Sequence, residues 1–98
     1  LGTKLILVLG HTGCGAVRAA TEASRGAPPE SANLRAITDR ILEGIGEDFD
    51  PAAAVEANVR ATMRALTRDS AVLAEAVEQG VEIAGAVYDL ASGRVRLL

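Results

Sequence analysis

The stretch Leu5–Val17, "LILVLGHTGCGAV", decides how this chain is read. "KLILVL" from Lys4 to Leu9 is apolar without polar alternation, which suits a strand covered on both faces, the central strand of a parallel sheet. Gly10, Gly13 and Gly15 then punctuate a tight loop, and "AVRAATEAS" from Ala16 to Ser24 is helix-prone. The unit is therefore strand, glycine loop, helix. Its loop sits at the carboxyl end of a strand, where open α/β sheets place their ligands. That loop carries the chain's single histidine, His11, and its single cysteine, Cys14.

Downstream, "RGAPPESA" from Arg25 to Ala32 reads as an exposed connection, because Gly26, Pro28 and Pro29 interrupt any helix. Leu34, Ile37, Ile41, Leu42 and Ile45 then recur at helical spacing and define an amphipathic helix. The acidic group Glu43, Glu47, Asp48 and Asp50 reads as its solvated end. Asp50 followed by Pro51 is an N-cap and first-turn pair. It opens a helix to about Thr67 with Val55, Val59, Met63 and Leu66 on one side. Asp69 or Ser70 caps a shorter helix bearing Val72, Leu73, Ala76 and Val77, and Gly80 stands at its left-handed end. "VEIAGAVYDL" is the next strand. Ser92-Gly93 turns it into "RVRLL", a hairpin edge strand with Arg94 and Arg96 facing water.

The order β, α, α, α, α, β, β defines an α/β fold: a small, mostly parallel sheet with helices packed on it and a C-terminal antiparallel hairpin strand. At 98 residues the chain is one domain, or part of one, spanning 1–98. With 49% hydrophobic and 2% aromatic residues, its packing falls to Ala, Val, Leu and Ile, as in helix-on-sheet layers. The net charge of -3 gives no reason to expect nucleic acid as a partner. No run approaches the roughly 18 apolar residues of a membrane span, so no membrane contact is expected. One thiol cannot form an internal disulfide, and a thiol kept free beside a histidine fits the reducing cytoplasm.

His11 and Cys14 admit several chemistries. A thiolate and an imidazole together select zinc over magnesium or calcium, and a cysteine at a helix N-terminus is favoured as the thiolate. Glycines at a strand-to-helix turn also bind anions through backbone amides, although "GHTGCG" has neither a P-loop's Lys-Ser/Thr ending nor a dinucleotide site's G-x-G-x-x-G order. Cys14 could attack as a nucleophile with His11 as base, but no orienting Asn or Asp can be picked out. The plainest alternative is a loop histidine beside a small buried hydrophobe.

These residues carry a family resemblance. "LGTKLILVLGHTGCGAV" resembles the second zinc motif of β-class carbonic anhydrases, in which a strand ends in Gly-His-x-x-Cys-Gly before a helix. "EANVRATMRAL" is similar to that family's Asn-Val-containing helix, "SAVLAEAVEQG" to its next short helix, and "VEIAGAVYDLASGRVRLL" to its last strand and hairpin. The resemblance implies that His11 and Cys14 are two of three protein ligands to Zn2+, and that the reaction is reversible hydration of carbon dioxide to bicarbonate and a proton. The third ligand belongs to a Cys-x-Asp-x-Arg motif that precedes this region in the family and has no counterpart among these residues. The chain thus corresponds to the carboxy-terminal part of such a domain, and little activity is expected of it alone. Homo-oligomers, dimers or tetramers, are implied as well. The alternative is a non-catalytic, zinc-binding or self-associating structural fragment.

Overall fold

The computed structural model describes residues 2–46 and 50–98, so Glu47 and Asp48 of the acidic group lie outside the described residues. Its elements are β1 (Leu5–His11), α1 (Gly15–Ser24), α2 (Ala32–Ile45), α3 (Pro51–Asp69), α4 (Ala71–Glu78), β2 (Glu82–Tyr88) and β3 (Val95–Leu97). The sheet order is β1-β2-β3, with β1 and β2 parallel and β2 and β3 antiparallel. Helices α1 to α4 lie in the crossover between the two parallel strands, which is the α/β arrangement read from the sequence.

The helix starts follow local chemistry. The Asp50 carboxylate accepts from Ala52 N at 3.0 Å and Ala53 N at 3.1 Å, and Pro51 at the first helical position gives up no useful donor. Ser70 ends α3 and caps α4, accepting from Leu73 N at 3.2 Å. Ser31 does the same for α2 through Leu34 N. Gly80, at φ +106, turns the chain out of α4 into β2.

Helix α3 is the spine. It contacts β1, β2 and each of the other helices. Val55 and Val59, with Ala54, meet Val17 and Ala20 of α1, Ile41 and Ile45 of α2 and Val87 of β2 in one core. The helix lies unusually close to the sheet at two glycines. A methyl group built on Gly10 would stand 2.6 Å from Val59 Cγ2, and one on Gly85 would stand 2.9 Å from Val59 Cγ1 and 2.5 Å from Met63 Sδ. Gly10 therefore belongs to β1, not to the loop, and the strand runs on to His11 through pairing of Gly10 with Val87 and of His11 with Tyr88.

Three expectations need correction. First, β1 is an edge strand in this sheet and is covered on one face only. Leu5, Leu7 and Leu9 are about half exposed (53%, 47% and 52%), whereas Ile6, Val8 and Gly10 between them face α3. In the paired register the same side of the sheet carries Ala86, itself fully buried, and half-buried Tyr88, and across them in β3 the exposed Leu97 and Val95. The apolar run could not report this, because strand periodicity cannot tell a covered face from an uncovered one. Second, α2 buries Thr38 together with Ile41 and Ile45, while Leu34 and Ile37 are exposed. Thr38 tolerates burial by returning its hydroxyl to Arg35 O at 3.1 Å. Third, Arg96 is exposed but not solely solvated, since it reaches back to Glu56 of α3 at 3.3 Å.

Candidate metal centre

His11 is the last residue of β1 and is exposed. Cys14, three residues on, is the N-cap of α1 and half-buried against the core. The turn between them is made by Gly13 in the left-handed region at φ +69, a conformation that an L side chain rarely adopts. Cys14 O accepts from Arg18 N at 3.0 Å, which locks the thiol-bearing residue into the first turn of the helix. Cys14, the N-cap, makes no side-chain cap hydrogen bond, so the leading N–H groups of α1 open toward the loop.

The imidazole is oriented. His11 Nδ1 lies 2.8 Å from Thr12 O, a carbonyl that can only accept, so Nδ1 donates. The Nε2 lone pair is then available to a ligand, the tautomer that metal-binding histidines commonly hold. An oriented nitrogen and a thiol at a helix N-terminus fit zinc in donor chemistry. They do not complete a site: among the described residues no three His, Cys, Asp or Glu side chains are grouped to hold a metal ion.

Thr12 ties this loop to the far end of the chain. Its N–H donates to Tyr88 O at 2.9 Å, and its hydroxyl oxygen accepts from Leu90 N at 3.0 Å. The hairpin it grips is itself well braced. Asp89 accepts from Ala91 N at 3.0 Å and from the Ser92 hydroxyl at 2.9 Å, and Asp89 N donates to Arg94 O at 2.8 Å. The Ala91 N–H above all, then the Ser92 hydroxyl, with a smaller part from the Thr12 hydroxyl, holds the Asp89 carboxyl below the usual carboxylate range. Sequence reading passes over Thr12. The signal that could have found Thr12 is its place between the two donors, one residue beyond the strand. Gly15 has open space around it and Gly10 serves the packing of α3, so of the three glycines only Gly13 shapes the loop itself.

A cleft with a volume of about 790 Å³ lies elsewhere, between α2, α3 and the start of α4. Arg40 and Arg68 converge there on Asp69, whose carboxyl they hold down at about 2, Arg68 contributing most.

Residues 1–95 match the carbonic anhydrase family. A carbonic anhydrase of Mycolicibacterium smegmatis is 36% identical over 103 residues, an alignment that takes in 99% of this chain and 50% of that protein. The chain thus spans about half the length of this curated relative. Among solved structures, a point mutant of the β-carbonic anhydrase CafD of Aspergillus fumigatus superposes with a TM-score of 0.66 at 28% identity, over 97% of this chain and 57% of the other. The β-carbonic anhydrase CcaA gives a TM-score of 0.68 at 18% identity over 96% and 46%, a likeness of fold.

Proposed function

Since the chain belongs to the β-class carbonic anhydrase family, we propose that it contributes His11 and Cys14 to a zinc centre in a protein that reversibly hydrates carbon dioxide to bicarbonate and a proton. The observation that carries this reading is the His11 Nδ1 to Thr12 O contact of 2.8 Å, which presents Nε2 beside a thiol at a helix N-terminus. A zinc ion held there supplies a Lewis acid that lowers the pKa of water from about 15.7 to about 7, making a nucleophile available at neutral pH. Within this chain, His11 would present nitrogen, Cys14 sulfur, and Gly13 the turn that brings them to one side. A remaining protein donor has to come from outside the described residues, since two ligands fall short of the three that catalytic zinc sites employ.

The chain on its own should therefore bind zinc weakly and hydrate carbon dioxide negligibly. The test is a titration with cobalt(II), a zinc surrogate whose thiolate band reports sulfur ligation, together with stopped-flow hydration of carbon dioxide in added zinc. A weak band lost in both His11→Ala and Cys14→Ser, with no turnover, is the expected result. A band that survives Cys14→Ser, or turnover that survives His11→Ala, would overturn the assignment.

In the same reading the free thiol of Cys14 supports a reducing cytoplasm as the compartment, and the bare face of Leu5, Leu7 and Leu9 favours self-association. Among the described residues no helix is long and apolar enough to cross a membrane. The exposed edge of β1 supports a second, non-catalytic reading, a zinc shared between two chains. Two-fold pairing of β1 edges is antiparallel, however, and sets the two His11 residues at opposite ends of a seven-residue strand, about 20 Å apart. One zinc per two chains by metal analysis would favour sharing, and one per chain would count against it.

A further inference from the structure

All three polar groups of Thr12 are engaged, and they point in different directions through the fold. The N–H continues the β1–β2 ladder to Tyr88 O at 2.9 Å. The hydroxyl oxygen receives Leu90 N at 3.0 Å. The carbonyl receives His11 Nδ1 at 2.8 Å. A single residue therefore carries the position of the β2–β3 hairpin, 78 residues away in sequence, into the ring of the histidine. Thr12 is nonetheless exposed, so burial does not hold it in place; its polar contacts do.

We propose that Thr12 is a positioning residue: by clamping the His11–Cys14 loop to the Asp89–Leu90 corner, its side chain fixes the carbonyl that sets the tautomer and direction of the His11 ring. The hairpin acts as the anvil. The carboxylate of Asp89 is occupied by Ala91 N and the Ser92 hydroxyl, so the corner cannot drift without breaking its own turn. Leu90 also lies against Gly13, with Cδ1 3.8 Å from where a methyl on that glycine would stand, so the clamp closes over the bend of the loop. Outer hydrogen bonds of this sort orient a ligating histidine and typically alter metal affinity by about 10- to 100-fold. The effect on metal rests on the donor roles proposed above; the effect on the imidazole does not.

The experiment compares the chain with Thr12→Val, which keeps shape and both backbone contacts but loses the hydroxyl, and with Thr12→Ser, which restores it. Nitrogen NMR of the His11 ring reads the tautomer without any metal. Amide exchange at Leu90 reads the clamp, and cobalt(II) at millimolar concentration reads sulfur-nitrogen ligation. In Thr12→Val the Nδ1-protonated fraction should fall, Leu90 exchange should quicken about five- to tenfold, and cobalt affinity should drop about tenfold. Thr12→Ser should return all three toward the parent. An unchanged tautomer with unchanged Leu90 exchange in Thr12→Val overturns the clamp. Absence of a cobalt-thiolate band in the parent chain overturns the donor roles instead, and a tautomer shift in that case still upholds the clamp.

Discussion

Replacing Gly10 by alanine should damage this protein more than its position in a metal-binding motif suggests, and the reason lies behind the strand. The added methyl would stand 2.6 Å from Val59 Cγ2 and 3.3 Å from Val55 Cγ1, whereas ordinary contact begins at 3.4 Å. The nearer neighbour must therefore withdraw by about 0.8 Å, the difference between 3.4 and 2.6 Å. Val59 has little room to do so. It is β-branched with few rotamers, 3% exposed, and wedged between the sheet and the core. Overpacking of this kind costs about 1–3 kcal/mol, and for a domain of this size each kcal/mol lowers the melting temperature by about 4–8 °C. Gly15 is the control, since a methyl there meets nothing within 4 Å and the residue is the first of α1. Gly15→Ala should be neutral or slightly stabilising, by about 0.5 kcal/mol. Urea unfolding followed by circular dichroism measures both. The double variant Gly10→Ala/Val59→Ala should be less destabilised than the sum of its parts, because the second change removes the clashing methyl. Equal stability of the two glycine variants, or strict additivity in the cycle, would refute the close-approach argument.

Other outcomes follow from the same contacts. Asp50→Ala removes the acceptor of two N–H groups at the start of α3 and should cost about 1 kcal/mol, read as a lower urea midpoint with an unchanged slope. Asp69 has its carboxyl held down at about 2, below its ordinary 3.8, by Arg68 and then Arg40, so its pairing contributes stability above pH 4 that is lost as pH falls toward 2. Asp69→Asn should therefore flatten the fall of melting temperature between pH 4 and 2, and 0.5 M salt should weaken the same effect because the groups are exposed. Leu7→Lys places a charge in the middle of the bare apolar face at an exposed position, so it should reduce self-association in sedimentation without loss of helical signal. An unchanged sedimentation profile in a parent chain that does associate would move the contact to another surface.

Elements whose signals are local were legible from the residues alone. The Asp50-Pro51 pair and Ser70 mark helix starts because a cap is made within three residues of itself, and the strand–turn–helix unit around His11 is written in consecutive positions. The two soft donors were equally plain, since their spacing needs no knowledge of the fold. Facing was harder. Leu34 and Ile37 keep the same helical period as Ile41 and Ile45, yet only the latter two are buried, because a period reports which residues share a side and not how much of that side a neighbour covers.

The order of the elements, the α/β character and the nitrogen-sulfur pair at the end of the first strand can all be read from consecutive residues. It took the packed fold to show that Gly10 and Gly85 serve the approach of α3, that Leu5, Leu7 and Leu9 line an open face, and that Thr12 grips Leu90. The division has one cause. Caps, turns and ligand spacing are settled by neighbours along the chain, whereas close packing and clamping depend on partners brought together from distant positions, and no pattern in either segment alone encodes where the other will lie.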